Sequence, residues 1–492
     1  MIGSCEEELM RVPIAVVLLA GLVSPASAQS TLHVAATGQD VEGRGSATQP
    51  FATITYALDR AAAGDLILVG QGRYDGRIRI RGRFDPPVTI RSAEPYRAQL
   101  RNNATVLTLY NDSVGVEGIV IEGFDIAHDG PGAGGLVVQV QAIGGRPTRN
   151  IILRDNVIHD SYNNDLLKIN NGAEQVRVLG NLFYNQQGSD EHIDINSVAD
   201  VLVEGNVFFN DFSGSGRIND NSTSSFVVVK DSNGSSDGVL GANNVRIRRN
   251  LFFNWQGNTG TNFVLCGEDG TANFEAFDLL VENNLLLGNS GNAMRSAFGV
   301  KGCRNVTFRA NTVAGNLPSL EYAIRFNREG ANPVMEDLVL YNNIWSDPTG
   351  TMNKFSTTPP ADTSSFVLQR NLVFNGGAPL PSSGSELINP EDDPEPVRGD
   401  PALPEQGGLI APVWQLGSGS FAGGQTRISG VFRDLALRYG RPGSGGAGVG
   451  MALAAQMPTD DLLGDPRPSS PSLGALEPEN PNRIFADGFE QR

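Results

Sequence analysis

The chain has almost no lysine. Of its 37 Lys and Arg residues, only Lys168, Lys230, Lys301 and Lys354 are Lys. Codon bias is one account of that scarcity. The other is chemical: Arg holds its proton, whereas Lys can give one up when its pKa is lowered, so a site needing a base would keep Lys. Aromatic residues make up 7% of the chain, and long amphipathic helices are scarce. Gly (59), Asn and Val are plentiful instead, a composition of many short strands and turns. Positive charge is also lacking. A formal net charge of -17 argues against nucleic acid as a partner.

Only one long apolar run exists. Arg11 precedes "VPIAVVLLAGLV", and Ala26, Ser27 and Ala28 follow as a small-residue cleavage site. That is the pattern of a signal peptide spanning 1–28, cut after Ala28, with Met1 or Met10 as the start. No other run is long and apolar enough to cross a membrane. The expectation is a secreted or periplasmic monomer without membrane insertion. Cysteine is nearly absent too: Cys5 leaves with the signal, and Cys266 and Cys303 remain. In an oxidising compartment they could pair; two small buried residues is the alternative.

What the chain does have is a repeated phrase: a short apolar strand, an Asn, and another short apolar strand. Examples are "IILRDNVIHD", "VRVLGNLFYN", "VLVEGNVFFN", "VRIRRNLFFN" and "LLVENNLLLGN". The central residues are Asn156, Asn181, Asn206, Asn250, Asn284, Asn311, Asn343 and Asn371. "IVIEGFDIAHD" fits one step earlier, with Gly123 read into the Asn slot. Gly and Asn both take the left-handed conformation readily, so the column reads as one bend per coil. Two successive spacings of 25 residues are too short for strand–helix–strand units but suit three strands and three turns. Stacked coils of that kind form a parallel β-helix, and the longer spacings mean loops inserted on one face.

The pattern resembles the right-handed parallel β-helix proteins of the pectate-lyase-like superfamily, over roughly residues 30 to 475. The implied fold is all-β, a single-stranded right-handed parallel β-helix with a short N-terminal capping helix. At the start, "QPFATITYALDRAAAGDLILV" is similar to the cap module of such proteins, with Pro50 opening a helix over 51–63. "DLLGDPRPSSPSLGALEP" is similar to their closing phrase. The expected organisation is a cap at 29–75, coils at 76–375, and irregular Gly/Pro-rich cover over the last coils at 376–475. A tail at 476–492 follows, read as disordered.

One stretch carries too many charges for an ordinary strand. "SDEHIDINS" (189–197) crowds Asp190, Glu191, His192 and Asp194 around alternating Ile193 and Ile195. Aligning it with "DLLKIN" sets Asp165 level with Glu191, Lys168 with Asp194, and Asn170 with Asn196. Ile193 and Ile195 then face inward, and Lys168, His192 and Asp194 outward. In the next coil Val227 and Val229 go in and Lys230 goes out. Asp165, Lys168, Asp190, Glu191, His192, Asp194, Lys230 and Asp231 are thereby expected on one patch.

In the family's polysaccharide lyases, an acid cluster binds calcium and a nearby Lys or Arg removes the C5 proton of a uronate. The arrangement looks most like the family-nine pectate lyases. By that resemblance Asp165, Asp190, Glu191 and Asp194 would hold Ca2+, and Lys230 would be the base. Lys168 and His192 have no place in that scheme. Lys301 and Arg325 would lie further along the face and grip an acidic polysaccharide. Trp255 could stack on a sugar ring, with cover for a turn as the equal alternative. A C5-epimerase using His192 with Lys230, a glycoside hydrolase, and a non-catalytic glycan-binding β-helix are the rival readings. His128, Asp129, His159 and Asp160 read as turn residues and stacked neighbours.

Overall fold

The computed structural model describes Met1 and residues 29–479, except 112, 187–190, 218–224, 254–255, 257–261, 289–293, 316 and 318–320. The expected signal segment and most of the tail lie outside the described residues.

Strands recur in a three-beat order. Thr148–Arg154, Val157–His159 and Leu167–Asn170 are followed by Glu174–Leu179, Leu182–Tyr184 and Ile193–Asn196. Each strand pairs in parallel with its counterpart one coil away. Among the described residues this builds parallel sheets of twelve, eleven and ten strands, here called the back, covered and site sheets. The chain is a right-handed parallel β-helix. The core is a set of aliphatic columns. Ile151, Val176, Val201, Val245, Leu279, Val306 and Leu338 stack in register down the back sheet, all buried. Each such side chain contributes roughly 1.5–3 kcal/mol by leaving water.

The Asn column works differently from the expectation. The left-handed residue is the one before each Asn: Asp155 (φ 52), Gly180 (φ 62), Gly205 (φ 71), Arg249 (φ 52), Asn283 (φ 54) and Ala310 (φ 53). Gly123 (φ 79) belongs to that set, and Phe124 occupies the Asn slot of its coil. The Asn side chains point inside and form a ladder. Asn181 Oδ1 accepts from the backbone N and the Nδ2 of Asn156, both at 3.0 Å. Asn206, Asn250, Asn284, Asn311, Asn343 and Asn371 repeat the same pair of bonds in turn. Each Nδ2 also donates to a backbone carbonyl, as Asn181 does to Leu153 O at 2.8 Å. Both ends are closed, by Phe124 N donating to Asn156 Oδ1 and by Asp393 Oδ2 accepting from Asn371. Only a primary amide can accept upward and donate downward at every rung.

The N-terminal helix is shorter than expected, Ile54–Leu58, with Thr53 as its N-cap accepting from Tyr56 N. Asp40 pins the preceding turn by accepting from Ala52 N and Thr53 N, so 50–53 is held out of the helix. Phe51, Ile54, Ala57 and Leu58 plug the end of the core.

The C-terminal segment also departs from the expectation. It contains a twelve-residue helix, Ile428–Tyr439, and covers the side of the covered sheet rather than only the last coils. Ile428, Val431, Phe432, Leu435 and Tyr439 pack with Trp414 and Phe421 on outward-facing Leu182, Tyr184, Phe209, Phe253 and Leu287. The reason lies in strands such as "VFF", "LFF" and "LLL", apolar on both faces, which require a second layer. Among the described residues no helix is long and apolar enough to cross a membrane.

Asn206→Leu leaves the buried backbone N–H of Asn181 without an acceptor and takes one of two acceptors from its Nδ2, which keeps only Leu153 O. At about 1–3 kcal/mol per orphaned buried group, the expected loss is several kcal/mol. A chemical-denaturation midpoint close to that of the parent protein would contradict the ladder's role.

Candidate functional site

The site stands on the outer face of the site sheet. Strands Leu167–Asn170, Ile193–Asn196 and Ser225–Lys230 pair with Lys168 opposite Asp194, and Asn196 opposite Lys230. Asp165 and Glu191 lie at the heads of the first two strands, where Glu191 N donates to Asp165 Oδ1 at 2.9 Å. Carboxylate oxygens of Asp165, Glu191 and Asp194 all lie within 4.8 Å of one another, and all three residues are buried. The one-coil translation along the helix axis thus gathers residues far apart in sequence.

Two lysines face these acids. Lys168 Nζ is 2.5 Å from Asp194 Oδ2 and 3.8 Å from Asp165 Oδ2. Lys230 Nζ is 3.7 Å from Asp194 Oδ2, 2.6 Å from Glu268 Oε2 and 3.6 Å from Asp269 Oδ2. Glu268 and Asp269 were not foreseen. Their signal was "CGEDG", which follows the next coil's first strand as "KDSNG" follows the one before. The turn bearing them is held rigidly. Fully buried Glu275 accepts from the backbone N of Glu268, Asp269 and Gly270 and from Asn332 Nδ2. Gly267 enters this turn at φ 78, and a side chain there would meet Lys301 O at 1.7 Å. Cys266, next to it, is disulfide-bonded to Cys303.

Burial, then the Asp194 charge, pushes the Asp165 carboxyl up to about 7. Burial and the Asp165 charge lift Glu191 well above the usual carboxylate range. Burial pulls the Lys230 ammonium down, but Asp194, Glu191 and Glu268 more than reverse this and raise it. Lys168 is raised in the same way, by Asp194 and Asp165 against its burial. The buried oxygens Asp165 Oδ2 and Asp194 Oδ1 have no hydrogen-bond partner. Carboxylate oxygens left bare inside a tight acidic cluster are the donor set of a hard divalent cation. The residues present therefore fit one, with Lys168 and Lys230 as its competitors for Asp194.

Not every expected residue joins the site. His192 does not face outward. It is fully buried, in the inward column that holds Leu166 and Phe226, and it stacks on Phe226 at 4.5 Å between ring centres. The chain turns a corner before Ile193, so simple alternation fails there. Its Nε2 meets Asn210 Oδ1, and burial lowers the imidazole to about 3. Asp231 is fully buried and committed to a turn, accepting from Ser197 Oγ, Asn233 N, Gly234 N, Gly241 N and Asn273 Nδ2. Lys301 pairs with Glu329. Arg325 does continue the outward column of Lys168 and Asp194, through Val228, Leu265 and Gly299. Asp190 and Trp255 lie outside the described residues. His159, read as a stacked neighbour, does stack on Tyr184, and its ring also bridges Asp125 and Asp160.

No protein-family model matches the chain, and no curated protein matches it. Among solved structures it is similar to pectate lyase Pel9A at 14% identity and a TM-score of 0.49, covering 92% of this chain and 98% of that one. A rhamnogalacturonan lyase gives 16% identity and a TM-score of 0.41, covering 74% and 91%. A family 28 exopolygalacturonase of Yersinia enterocolitica gives 13% and 0.39, covering 71% and 75%. At these identities the likeness concerns the fold.

The raised carboxyl has a thermodynamic consequence. Asp165 in the unfolded chain titrates near its ordinary 3.8, and in the fold near 7. Between those values the folded state binds the extra proton, so stability from this group falls as pH rises. His192 slopes the other way, because its unfolded imidazole protonates below about 6.5 while the buried ring stays neutral. In chelator at about pH 8, Asp165→Asn is expected to melt higher than the parent protein, with the gap closing near pH 4. Adding calcium should raise the parent's melting temperature and not the variant's. His192→Phe, matching Phe226 one coil on, should gain stability relative to the parent below about pH 6.

Proposed function

We propose that the protein is a secreted, calcium-dependent lyase that cleaves an acidic, uronate-containing polysaccharide by β-elimination. The observation that carries this reading is Lys230, clamped at 2.6 Å by Glu268 beside the bare oxygens of Asp165 and Asp194. Asp165, Glu191 and Asp194 would hold the cation. When bound, calcium supplies positive charge that offsets the uronate carboxylate and acidifies the C5 proton.

The chain's own residues account for the rest. Lys230 Nζ takes the C5 proton, the C5–H electron pair forms the C4–C5 double bond, and the C4–O bond breaks. The leaving oxygen gains a proton from water. An ammonium held by several carboxylates is a poor base, so Lys230 needs those charges diverted. Asp194 and Glu191, if engaged by a cation, would pull less on the ammonium, and the Lys230 pKa would fall. Lys168, at 2.5 Å from Asp194, orients that carboxylate. The buried position of His192 weighs against an epimerase that returns the proton from His192. A glycan-binding protein without catalysis remains the second reading, favoured by the same strong pairing that keeps Lys230 charged.

A panel of uronate polymers, with calcium or with chelator, separates these readings by the ultraviolet absorbance of the unsaturated product. The expected outcome is a calcium-dependent rise that Lys230→Ala lowers by about 10²–10⁴-fold, the usual share of a positioned base. No rise with any polymer, with sugar binding retained, would make it a binding protein.

A further inference from the structure

A second group of buried charges lies away from the acidic cluster, on the outer face of the covered sheet and at the turn that leaves it. Arg101, Asp125, His159, Asp160 and Arg217 form a line of alternating sign. Arg101 Nη2 is 2.8 Å from Asp125 Oδ1, which is 2.7 Å from His159 Nε2. His159 Nδ1 is 2.7 Å from Asp160 Oδ2, and Arg217 Nη1 is 3.1 Å from Asp160 Oδ1. Tyr184, in register with His159 one coil on, stacks on the imidazole at 4.7 Å. A neutral imidazole has one N–H donor and one bare nitrogen. Here each ring nitrogen meets a carboxylate oxygen at hydrogen-bond distance, so both carry a proton and the ring is an imidazolium. Removing either proton sets a lone pair against an anion, and one of the two contacts has to open. Asp125 cannot turn to water, with 3% of its side chain exposed, whereas Asp160 is 23% exposed. The proton that leaves is then the one on Nδ1, and the contact that opens is the one to Asp160.

Asp160 is where the neighbouring segments are tied. Its Oδ1 also accepts from Asn185 Nδ2, and Asn185 Oδ1 accepts from Asp211 N. Arg217 Nη2 donates to Ser161 O at 2.6 Å, and the guanidinium lies 4.5 Å from the Tyr162 ring. Asp160 thus anchors both ends of segment 211–217, and it begins the turn 160–164 that leads to Asp165. Segment 211–217 lies between strand Val207–Phe209 and strand Ser225–Lys230, which bears Lys230. The other titratable groups around the ring do not switch with it. His128 accepts from Tyr162 N through Nδ1, and burial pulls its imidazole down, so it is neutral near pH 7. Burial, with the Asp160 charge, raises both Tyr162 and Asp211. Burial pulls the His159 imidazolium down as well, but Asp125 and Asp160 more than reverse this and raise it above its ordinary 6.5.

We propose that His159 is a pH-sensitive latch: doubly protonated, it holds Asp160 and through it segment 211–217 and turn 160–164, and loss of the Nδ1 proton releases that hold. The folded ring binds its proton more tightly than the unfolded one. The stability it contributes is therefore full below about 6.5 and is lost as pH rises through the higher folded value. The latch rests on no reading of substrate or cation. It concerns two segments that lead into the acidic cluster, and not the cluster itself.

Two measurements on the full chain, without any ligand, test it. Nitrogen-15 imidazole spectra of histidine-labelled protein, assigned by the signal missing in His159→Gln, should show both His159 nitrogens protonated near pH 7 and Nδ1 releasing its proton above it. Hydrogen exchange of 211–217, corrected for its intrinsic pH dependence, should lose protection by about tenfold or more across the same titration. In His159→Gln the protection should be low at every pH. Asp160→Asn, which removes the anion, should lower the His159 titration by about one pH unit or more. Melting curves verify that each variant folds, and if His159→Gln does not, the signal that moves in Asp160→Asn identifies the ring. A His159 that is singly protonated near pH 7 overturns the latch. So does a titration that leaves the protection of 211–217 unchanged, a loss of protection that follows pH equally in His159→Gln, or a titration that Asp160→Asn does not move.

Discussion

The Asn ladder is the interaction on which the rest of this molecule depends. Each coil must turn sharply between the back and covered sheets, and a sharp turn points backbone groups into the core. Buried N–H and C=O groups without partners would cost about 1–3 kcal/mol each. Eight primary amides, from Asn156 to Asn371, collect those groups and bond to one another in a single file. That lets the preceding residue take the left-handed turn even where it is Arg249 or Ala310, at a cost of roughly 1–2 kcal/mol for a residue with a side chain. The turn is fixed by the amide behind it more than by the residue that makes it.

A fixed turn fixes the register of all three sheets, and register is what makes the site. Asp165, Asp194 and Lys230 are 29 and 36 residues apart in sequence and meet only because successive coils differ by one strand spacing. A slip of one residue would send Asp194 into the core in place of Ile193 or Ile195. Long connections such as 231–241 and 267–275 do not disturb this, since they leave from turns between the site and back sheets, away from the Asn bend. The Glu275 clamp and the Cys266–Cys303 bond extend the same rigidity to Glu268 and Asp269.

The repeat was legible because Asn and the apolar triplets recur in the chain itself, and the pairing of Lys168 with Asp194 and of Asn170 with Asn196 followed from aligning two coils. Three things were hidden for distinct physical reasons. The role of Asn was mistaken because Asn suits both a left-handed turn and an amide ladder, and composition cannot separate them. His192 was misplaced because strand alternation was carried across a corner, where two successive residues face inward. The C-terminal cover was misread because Gly and Pro dominate its composition. The information was in the partner surface, where "LFY", "VFF" and "LFF" are apolar on both sides and so demand a second layer.

Charge explains why the acidic cluster is poised rather than merely satisfied. Five carboxylates, Asp165, Glu191, Asp194, Glu268 and Asp269, share two ammonium groups. The remaining negative charge cannot stay bare in a buried place, and raised carboxyl pKa values show a proton filling the deficit. A divalent cation held there would fill it as well, but only by expelling that proton. Proton and cation would then compete for one vacancy in charge, and any cation affinity would climb with pH through the range where Asp165 titrates. The lysines belong to the same equilibrium. Whatever neutralises Asp194 also weakens its hold on Lys168 and Lys230, so a cation held there would lower both ammonium pKa values.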